Sequence, residues 1–296
     1  MKLKNFCFTL LFFIVFSFTH AQQSIFSQYY FNPVYSNPAF TGSDYKLSIR
    51  SQYRSMWSGL GLGPNTALIL AQSPIGLSSS SIGISLMNDY IGLSNSTEAS
   101  VYYAYRFQTT FGRIAAGTNI NFQNYTQDLT SALPKDPGDP ALAADINLFL
   151  FNLGFGVAWE NENGYFGLST PGILKNAISE TSNDPSSETL IQFNLIGAYT
   201  IDINSLWKIT PSVLYKYLET MPSQMDMQAH LLYNDQFQLD LGYRTNTTYI
   251  VGVSYKFLDE LQVGYCYDLD NSSFGSTSGG SHELTVGYVF NKSKSE

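Results

Sequence analysis

The chain has 296 residues and a formal net charge of −8, and this negative charge argues against a nucleic-acid partner. Charged residues make up 13% of the chain, about half the usual quarter, whereas aromatic residues make up 15%. Few charges and many aromatic residues are typical of a protein surface that contacts lipid.

The first 21 residues have the pattern of a cleaved signal peptide. Lys2 and Lys4 form a positive region, an apolar run follows from Phe6 to Phe18, and Ala21 ends a small-residue cleavage site. The apolar run is too short to span a membrane comfortably, which disfavours an N-terminal anchor. The sequence therefore predicts export from the cytoplasm, with a mature chain that begins at residue 22.

Residues 22–43 form an aromatic segment with two Asn-Pro pairs, Asn32-Pro33 and Asn37-Pro38. Proline has no N–H to donate and biases the preceding residue away from helix, so the segment is predicted to be neither a helix nor a central strand. Its many aromatic side chains make it too apolar for a loose tail. We therefore expect a stiff, irregular segment that packs against the rest of the protein.

The second half of the chain alternates apolar and polar residues with a period of two. The stretch FQLDLGYR, residues 237–244, places Phe, Leu, Leu and Tyr on one face and Gln, Asp, Gly and Arg on the other. Segments 248–257, 261–268 and 282–290 repeat the pattern, which predicts strands. The polar face carries Gly, Ser, Thr, Gln and Asn rather than many Lys and Glu. This composition favours a barrel with a hydrated lumen over a soluble β-sandwich.

No segment after the signal peptide approaches 18 consecutive apolar residues, so a membrane-embedded chain must form a closed β-barrel. The predicted fold is all-β: a transmembrane antiparallel barrel of about 14 strands over residues 44–290, followed by a tail, 291–296. The predicted strands are 44–53, 65–72, 81–88, 97–107, 112–124, 146–159, 163–168, 188–199, 206–217, 224–234, 236–244, 247–256, 259–267 and 282–290.

The lengths of the connections agree with such a barrel. Short connections follow even-numbered strands, and the long connections 125–145, 169–187 and 268–281 follow odd-numbered strands. Two connections fit poorly, because 73–80 is long for a turn and 245–246 is short for a loop. Both chain termini are expected in the periplasm, where the N-terminal segment either plugs the barrel mouth or packs beneath it as a connector.

The run FSQYYFNPVYSNPAFTG at 26–42, followed by YRSMW at 53–57 and NDYIG at 88–92, closely resembles the PorP/SprF family of type IX secretion proteins. The resemblance continues, in order, through YAYRF at 103–107, YFGLSTPGIL at 165–174, LLYNDQFQLDLGYR at 231–244, LQVGYCYDL at 261–269 and GSHELTVGYVF at 280–290. The motif residues that we single out are Asn32, Pro33, Asn37, Pro38, Gly42, Tyr53, Arg54, Trp57, Asn88, Asp89, Gly92 and Phe290.

The resemblance implies an outer-membrane β-barrel of Bacteroidota that is tied to type IX secretion and, in some organisms, to gliding motility. It implies partners as well: outer-membrane lipid, the periplasmic ring and motor lipoproteins, and a surface adhesin or other protein with a C-terminal sorting domain. The alternative is a channel for hydrophobic or small solutes, because Asn37-Pro38-Ala39 matches a tripeptide near the start of fatty-acid transport barrels.

No residue pattern predicts a catalytic, cofactor or metal site. His230 is expected to point into the lumen, where a hydrolase would need Ser or Asp beside it, and coincidental serines are common in this chain. Segment 268–273 lacks the glycine and the closing glutamate of a calcium loop. Cys266 is expected to fill space on the small-residue face. Asn88-Asp89 is expected to begin a turn in an outer loop.

Overall fold

The computed structural model describes residues 26–60, 63–76, 79–131, 144–176, 191–219, 221–245, 247–258, 260–272 and 275–290. Within them the chain forms one antiparallel sheet. The predicted signal peptide and C-terminal tail lie outside the described residues. The strands are β1 (Ser48–Ser55), β2 (Asn65–Ile75), β3 (Ser80–Ile91), β4 (Ser94–Thr109), β5 (Gly112–Gln127), β6 (Ile146–Glu160), β7 (Gly164–Thr170), β8 (Gln192–Tyr199), β9 (Ile201–Asp202), β10 (Trp207–Leu218), β11 (Met221–Tyr233), β12 (Phe237–Arg244), β13 (Thr248–Phe257), β14 (Leu261–Asp270) and β15 (Ser281–Val289).

The sheet closes into a barrel because its first and last strands pair. Ser48 lies opposite Val289 at one end of β1, and Ser55 lies opposite His282 at the other end. β8 and β9 both pair with β10 and are separated only by Thr200, so together they form one barrel strand. The barrel therefore has fourteen strands, and the predicted all-β antiparallel barrel is confirmed.

The two ends of the barrel differ in their connections. At the turn end, short turns such as 110–111, 161–163 and 234–236 join the strands; at the loop end lie the longer connections 56–64, 128–145 and 171–191. The predicted connection 73–80 shortens to 76–79, because β2 continues to Ile75. In bacterial outer-membrane barrels the short turns face the periplasm and the long loops face outward.

The outward side chains form an apolar belt of the height that a bilayer requires. On β6 the outward apolar row extends over ten residue steps, from Phe149 to Trp159, and the next outward residue is Asn147. At about 3.4 Å per step and a tilt of about 40°, ten steps span about 25 Å, the typical height of the apolar band of such barrels. Outward-facing aromatic pairs such as Tyr255–Phe257 and Tyr288–Phe290 lie at the turn end.

Two predicted boundaries change for tertiary reasons. β1 begins at Ser48 rather than residue 44, because the Asp44 carboxylate accepts hydrogen bonds from Ser48 and Arg50 instead of continuing the strand. The expected turn at Asn88-Asp89 is wrong. Both residues lie inside β3, and the chain turns after Ile91, where Gly92 has a φ of +60°.

The N-terminal segment lies inside the barrel. Residues Phe26–Ser43, hereafter the plug, contain a short helix, α1 (Pro33–Ser36), and a 3-10 turn (Pro38–Phe40). Within the described residues no helix is long and apolar enough to cross a bilayer. The main buried apolar cluster joins the plug to inward side chains of the barrel and comprises Tyr29, Val34, Ala39, Phe40, Leu70, Tyr102, Ala115, Ala158, Ile196 and Leu214.

Candidate functional site in the plugged lumen

The plug carries no charged side chain, yet almost all of it is buried. An irregular backbone in that position needs partners for its polar groups, because α1 and the 3-10 turn satisfy only a few of them internally. The inward side chains of the barrel strands supply these partners. The lumen is therefore where the buried polar and charged residues of this chain come together, and we treat it as the candidate functional site.

Glycines on three neighbouring strands make room for the plug. A Cβ atom on Gly117 of β5 would lie 2.5 Å from the Pro38 carbonyl, and one on Gly156 of β6 would lie 2.0 Å from Asn37 Oδ1. On β7, a Cβ atom on Gly167 would lie 2.5 Å from Asn37 Nδ2. Real Cβ atoms do not approach other atoms so closely, so a larger residue at these positions would displace the plug. The glycines on the inner face of these strands therefore form a packing surface for the plug.

Asn37 fastens the plug to this glycine surface. Its side-chain Nδ2 donates to the backbone carbonyls of Val157 on β6 (3.1 Å) and Leu168 on β7 (3.2 Å). Its Oδ1 accepts from the Ala39 N–H at 2.9 Å and caps the 3-10 turn that begins at Pro38. All the hydrogen-bonding groups of this carboxamide except one lone pair are thus used, which accounts for an Asn at this position.

A buried ion cluster binds the start of the plug. Arg54 on β1 forms ion pairs with Asp268 (2.6 Å) and Glu283 (3.1 Å), and Arg244 on β12 pairs with Asp268 at 3.0 Å. Arg244 also forms an ion pair with Asp226 on β11, at 2.9 Å, so that the cluster joins five strands. Buried charges are costly unless they are paired and hydrogen-bonded, and here each charged group has an opposite partner.

Ser27 of the plug lies at the centre of this cluster. Its hydroxyl accepts from Arg54 and from Arg244, both at 2.8 Å, and donates to Asp268 at 2.6 Å. The two carboxylate oxygens of Glu283 accept the backbone N–H groups of Ser27 (2.6 Å) and Gln28 (3.0 Å). The cluster therefore does more than balance charge, because it binds the backbone of the plug directly.

A second hydrogen-bond chain holds the next plug residue. The Tyr29 hydroxyl bonds to Ser212 Oγ (2.8 Å), Ser212 Oγ bonds to His230 Nε2 (2.8 Å), and His230 Nδ1 bonds to Asp240 (2.6 Å). The ring of Tyr30 stacks on His230 at 4.2 Å. Burial raises the pKa of the Tyr29 phenol, so this group keeps its hydroxyl hydrogen and takes part in the hydrogen bonds as a neutral group.

Ser212, His230 and Asp240 have the bonding order of a catalytic triad. The serine is buried beneath Tyr29, however, so the described geometry leaves no space at its oxygen for a substrate. Ser212 lies within the paired part of β10, opposite both β8 and β11, where backbone N–H groups serve the ladder rather than an oxyanion hole. In this arrangement the three residues act as a plug-binding chain.

The end of the plug is fixed at the turn end of the barrel. The Gly42 N–H donates to Gln72 Oε1 at 2.6 Å, and Asp44 forms an ion pair with Arg50 at 2.5 Å. Gly42 has a φ of +76°, which favours glycine, and a Cβ atom there would clash with Ser81 on β3. These contacts fix the segment that connects the plug to the first strand.

The predicted motif residues occupy four different places. Asn32, Pro33, Asn37, Pro38 and Gly42 belong to the plug, and Arg54 belongs to the ion cluster that binds it. Tyr53 is half exposed on the outer surface, where Phe290 also lies, beside Tyr288. Trp57 begins the connection from β1 to β2, and Asn88, Asp89 and Gly92 lie at the loop end of β3 and its turn.

Of the residues at the loop end of β3, Asp89 points inward and accepts from Thr66 at 2.6 Å, whereas Asn88 bonds to Asn95 on the outer face. The twelve residues therefore do not form one site. The lumen unites six of them, and the rest belong to the outer surface and to the loop end of the barrel.

Most residues that hold the plug in place were not predicted from the sequence. They are Ser27, Gln28 and Tyr29 of the plug itself and, on the barrel strands, Ser212, Asp226, Asp240, Arg244, Asp268 and Glu283. Asp268, expected in a solvated loop, is buried in the ion cluster. One signal was available: charged residues recur on the inward positions of strands whose other inward residues are small or neutral. In the described part of the chain, no group of three or more His, Cys, Asp and Glu side chains is arranged to hold a metal ion.

The fold is similar to that of solved outer-membrane barrels. The outer membrane protein Omp33 of Acinetobacter baumannii aligns with a TM-score of 0.49 and 9% identity over 83% of this chain and 98% of its own. A FadL homologue of Pseudomonas aeruginosa aligns with a TM-score of 0.49 and 10% identity over 86% of this chain and 93% of its own. The KdgM porin aligns with a TM-score of 0.42 and 12% identity over 82% of this chain and 99% of its own.

No curated protein matches the sequence. A family profile does, over residues 18–288, and its description is type IX secretion system membrane protein PorP/SprF. A membrane protein of this kind that forms a closed β-barrel resides in the outer membrane. The resemblance seen in the sequence motifs is thereby confirmed over nearly the whole chain: the protein belongs to the PorP/SprF family of type IX secretion system membrane proteins.

Proposed function

We propose that the protein is a non-enzymatic scaffold of type IX secretion, which anchors surface proteins with C-terminal sorting domains or helps to export them. In this proposal its turn end contacts the periplasmic ring components of the secretion machinery. A role in gliding motility stays a prediction. The family membership supports the secretion role, and the plugged lumen supports the scaffold role.

The single observation that favours a scaffold over a solute channel is the plug itself. Residues Phe26–Ser43 extend through the lumen, from Ser27 near the loop end to Gly42 at the turn end, and are held by buried hydrogen bonds to at least four strands. In this proposal a solute would pass only if this segment moved. A rigid closed barrel instead offers a frame whose loops can carry recognition.

Co-purification from the native membrane tests this function. The full-length chain, tagged at its C-terminus, would be cross-linked in cells, extracted in detergent and purified, with a tagged unrelated outer-membrane barrel as the matched control. We expect proteins with sorting domains and periplasmic secretion components to be enriched over the control. Steady solute-dependent conductance of the purified protein in planar bilayers, without such enrichment, would support the solute channel instead.

A further inference from the structure

A polar cavity of about 520 Å³ lies between the plug and the inner faces of β11 to β14. It is at the turn end of the barrel, where the exposed residues Asp235 and Gln236 of the turn between β11 and β12 border it. Its volume is within the range of ligand-binding sites, about 300–1,000 Å³. The cavity is separate from the ion cluster that binds Ser27 and is accessible from the periplasmic side.

Glutamine side chains give this cavity a defined hydrogen-bonding character. The Nε2 of Gln228 donates to the Ser27 carbonyl at 2.6 Å, and the Nε2 of Gln238 donates to Asp240 at 2.7 Å. A carbonyl and a carboxylate can only accept, so these bonds fix both carboxamides with the amino group toward the protein. Gln262 bonds to the Ser254 hydroxyl at 3.4 Å, a partner that can accept or donate. The carboxamide oxygens of Gln228 and Gln238 are thus left as acceptors along the cavity wall.

The lining favours an extended peptide. The Tyr30 ring is stacked on His230 at 4.2 Å and lies near the Tyr165 ring at 6.4 Å, so protein side chains already occupy part of its surface. Fixed carbonyl acceptors match the N–H groups of an extended backbone. The charged side chains of the lining balance, with Arg50 and Lys256 against Asp235 and Asp240.

We propose that this cavity binds an extended, uncharged peptide segment of a periplasmic partner. The peptide N–H groups would bond to the oxygens of Gln228 and Gln238, and the Gln262 carboxamide would serve as donor or acceptor beside them. This proposal rests on the contact with periplasmic components in the proposed function, and it specifies the chemistry of that contact.

Cysteine protection tests the proposal in the full-length protein. Gln238→Cys in a Cys266→Ser background would be treated with a membrane-permeant maleimide, both in cells and after purification in detergent. We expect labelling at least tenfold slower in cells, where the partner segment occupies the cavity. Glu162→Cys, in the exposed turn between β6 and β7 at the same end of the barrel, should label at similar rates in both settings. Equal rates at position 238 would overturn the proposal, and Gln262→Cys repeats the test if the first variant fails to fold.

A photo-cross-linking residue in place of Gln236, at the border of the cavity, identifies the occupant. We expect a protein adduct whose cross-linked peptide carries no charged side chain; a glycan adduct, a lipid adduct or no adduct would overturn the proposal. The proposed function can survive that failure, because secretion components would still co-purify with the tagged chain. Protection at position 238 without any co-purified periplasmic component would also contradict a partner peptide.

Discussion

Ser27 shows how a small neutral residue can organise several buried charges. A serine hydroxyl can donate one hydrogen bond and accept two, and Ser27 makes all three, with Asp268, Arg54 and Arg244. Its backbone N–H is bound by Glu283 at the same time. Because every partner is a barrel residue, the stability of the plug and that of the ion cluster are coupled at this one residue.

Replacing Arg54 by methionine should destabilise the protein strongly. The substitution removes the positive partner of Glu283 and one of the two positive partners of Asp268 but leaves both carboxylates buried, and removing one partner of a buried ion pair typically costs about 3–5 kcal/mol. Heat-modifiable gel mobility at increasing urea concentration would measure the loss. Arg113→Met is the matched control, since Arg113 is a third exposed and should cost about 1 kcal/mol or less. Equal losses from the two substitutions would contradict the role of the ion cluster.

Gly156→Ala should weaken the seating of the plug. The added methyl group would lie 2.0 Å from Asn37 Oδ1, and forcing it into this contact is expected to cost about 1–3 kcal/mol. In Gly197→Ala, the control on β8, the nearest atoms would be at an ordinary 3.5 Å. Protease cleavage within the plug should rise in the first variant and stay at the wild-type level in the second. Equal cleavage would mean that the glycine surface does not hold the plug.

These residue contacts could be predicted only in part from the sequence. The small residues on the inward face were visible, but the reason for them was not, since Gly156 and Asn37 meet only after the barrel closes. Ser27 and Asp268 are separated by 241 positions in the chain. Serine is also common in this sequence, so nothing local distinguishes Ser27 from the others.

At the scale of elements, the strands could be predicted from the sequence, but the position of the irregular N-terminal segment inside the lumen could not. Period-two alternation determines which face of a strand is apolar, and that is sufficient to locate strands in a lipid-facing barrel. Strand ends depend on tertiary contacts, as at Asp44, whose carboxylate bonds to Ser48 and Arg50. Proline chemistry predicted an irregular N-terminal segment, but only the inward polar groups of many strands determine that it lies in the lumen.

The two faces of the barrel strands should respond differently to a charge. Val251 is outward and central on β13, so Val251→Arg places a guanidinium near the middle of the bilayer and should cost about 2–4 kcal/mol. Gln238 lines the polar cavity at the turn end, so Gln238→Arg should insert almost normally. The yield of heat-modifiable barrel in outer-membrane fractions measures both effects. Similar losses would mean that the lipid and lumen faces are assigned wrongly.

For the whole molecule, pairing of the first and last strands closes the sheet into a barrel, and the plug occupies its lumen. The backbone bonds of the wall come from the ladder between β1 and β15 and its neighbours, none of which involves the plug. Wall and plug are therefore separable in principle: the wall should form without the plug, although the ion cluster would then face water. The number of strands, fourteen, could be predicted from the sequence, because each strand has its own local alternation of residues. Whether the lumen is empty or filled could not be predicted, because no local pattern of residues depends on it.

Deleting residues 26–43 should convert the closed barrel into a conducting pore. The paired strands stay intact, so insertion into the outer membrane should persist, while the lumen loses the segment that occupies it. Arg54, Arg244 and the carboxylates that they pair with would then line a water-filled passage. Single-channel recording in planar bilayers should show steady conductance steps for the deletion variant and none for the wild-type chain at equal protein density. A deletion variant that inserts with normal heat-modifiability and still conducts no ions would show that the plug is not the barrier, and the preference for a scaffold over a channel would lose its support.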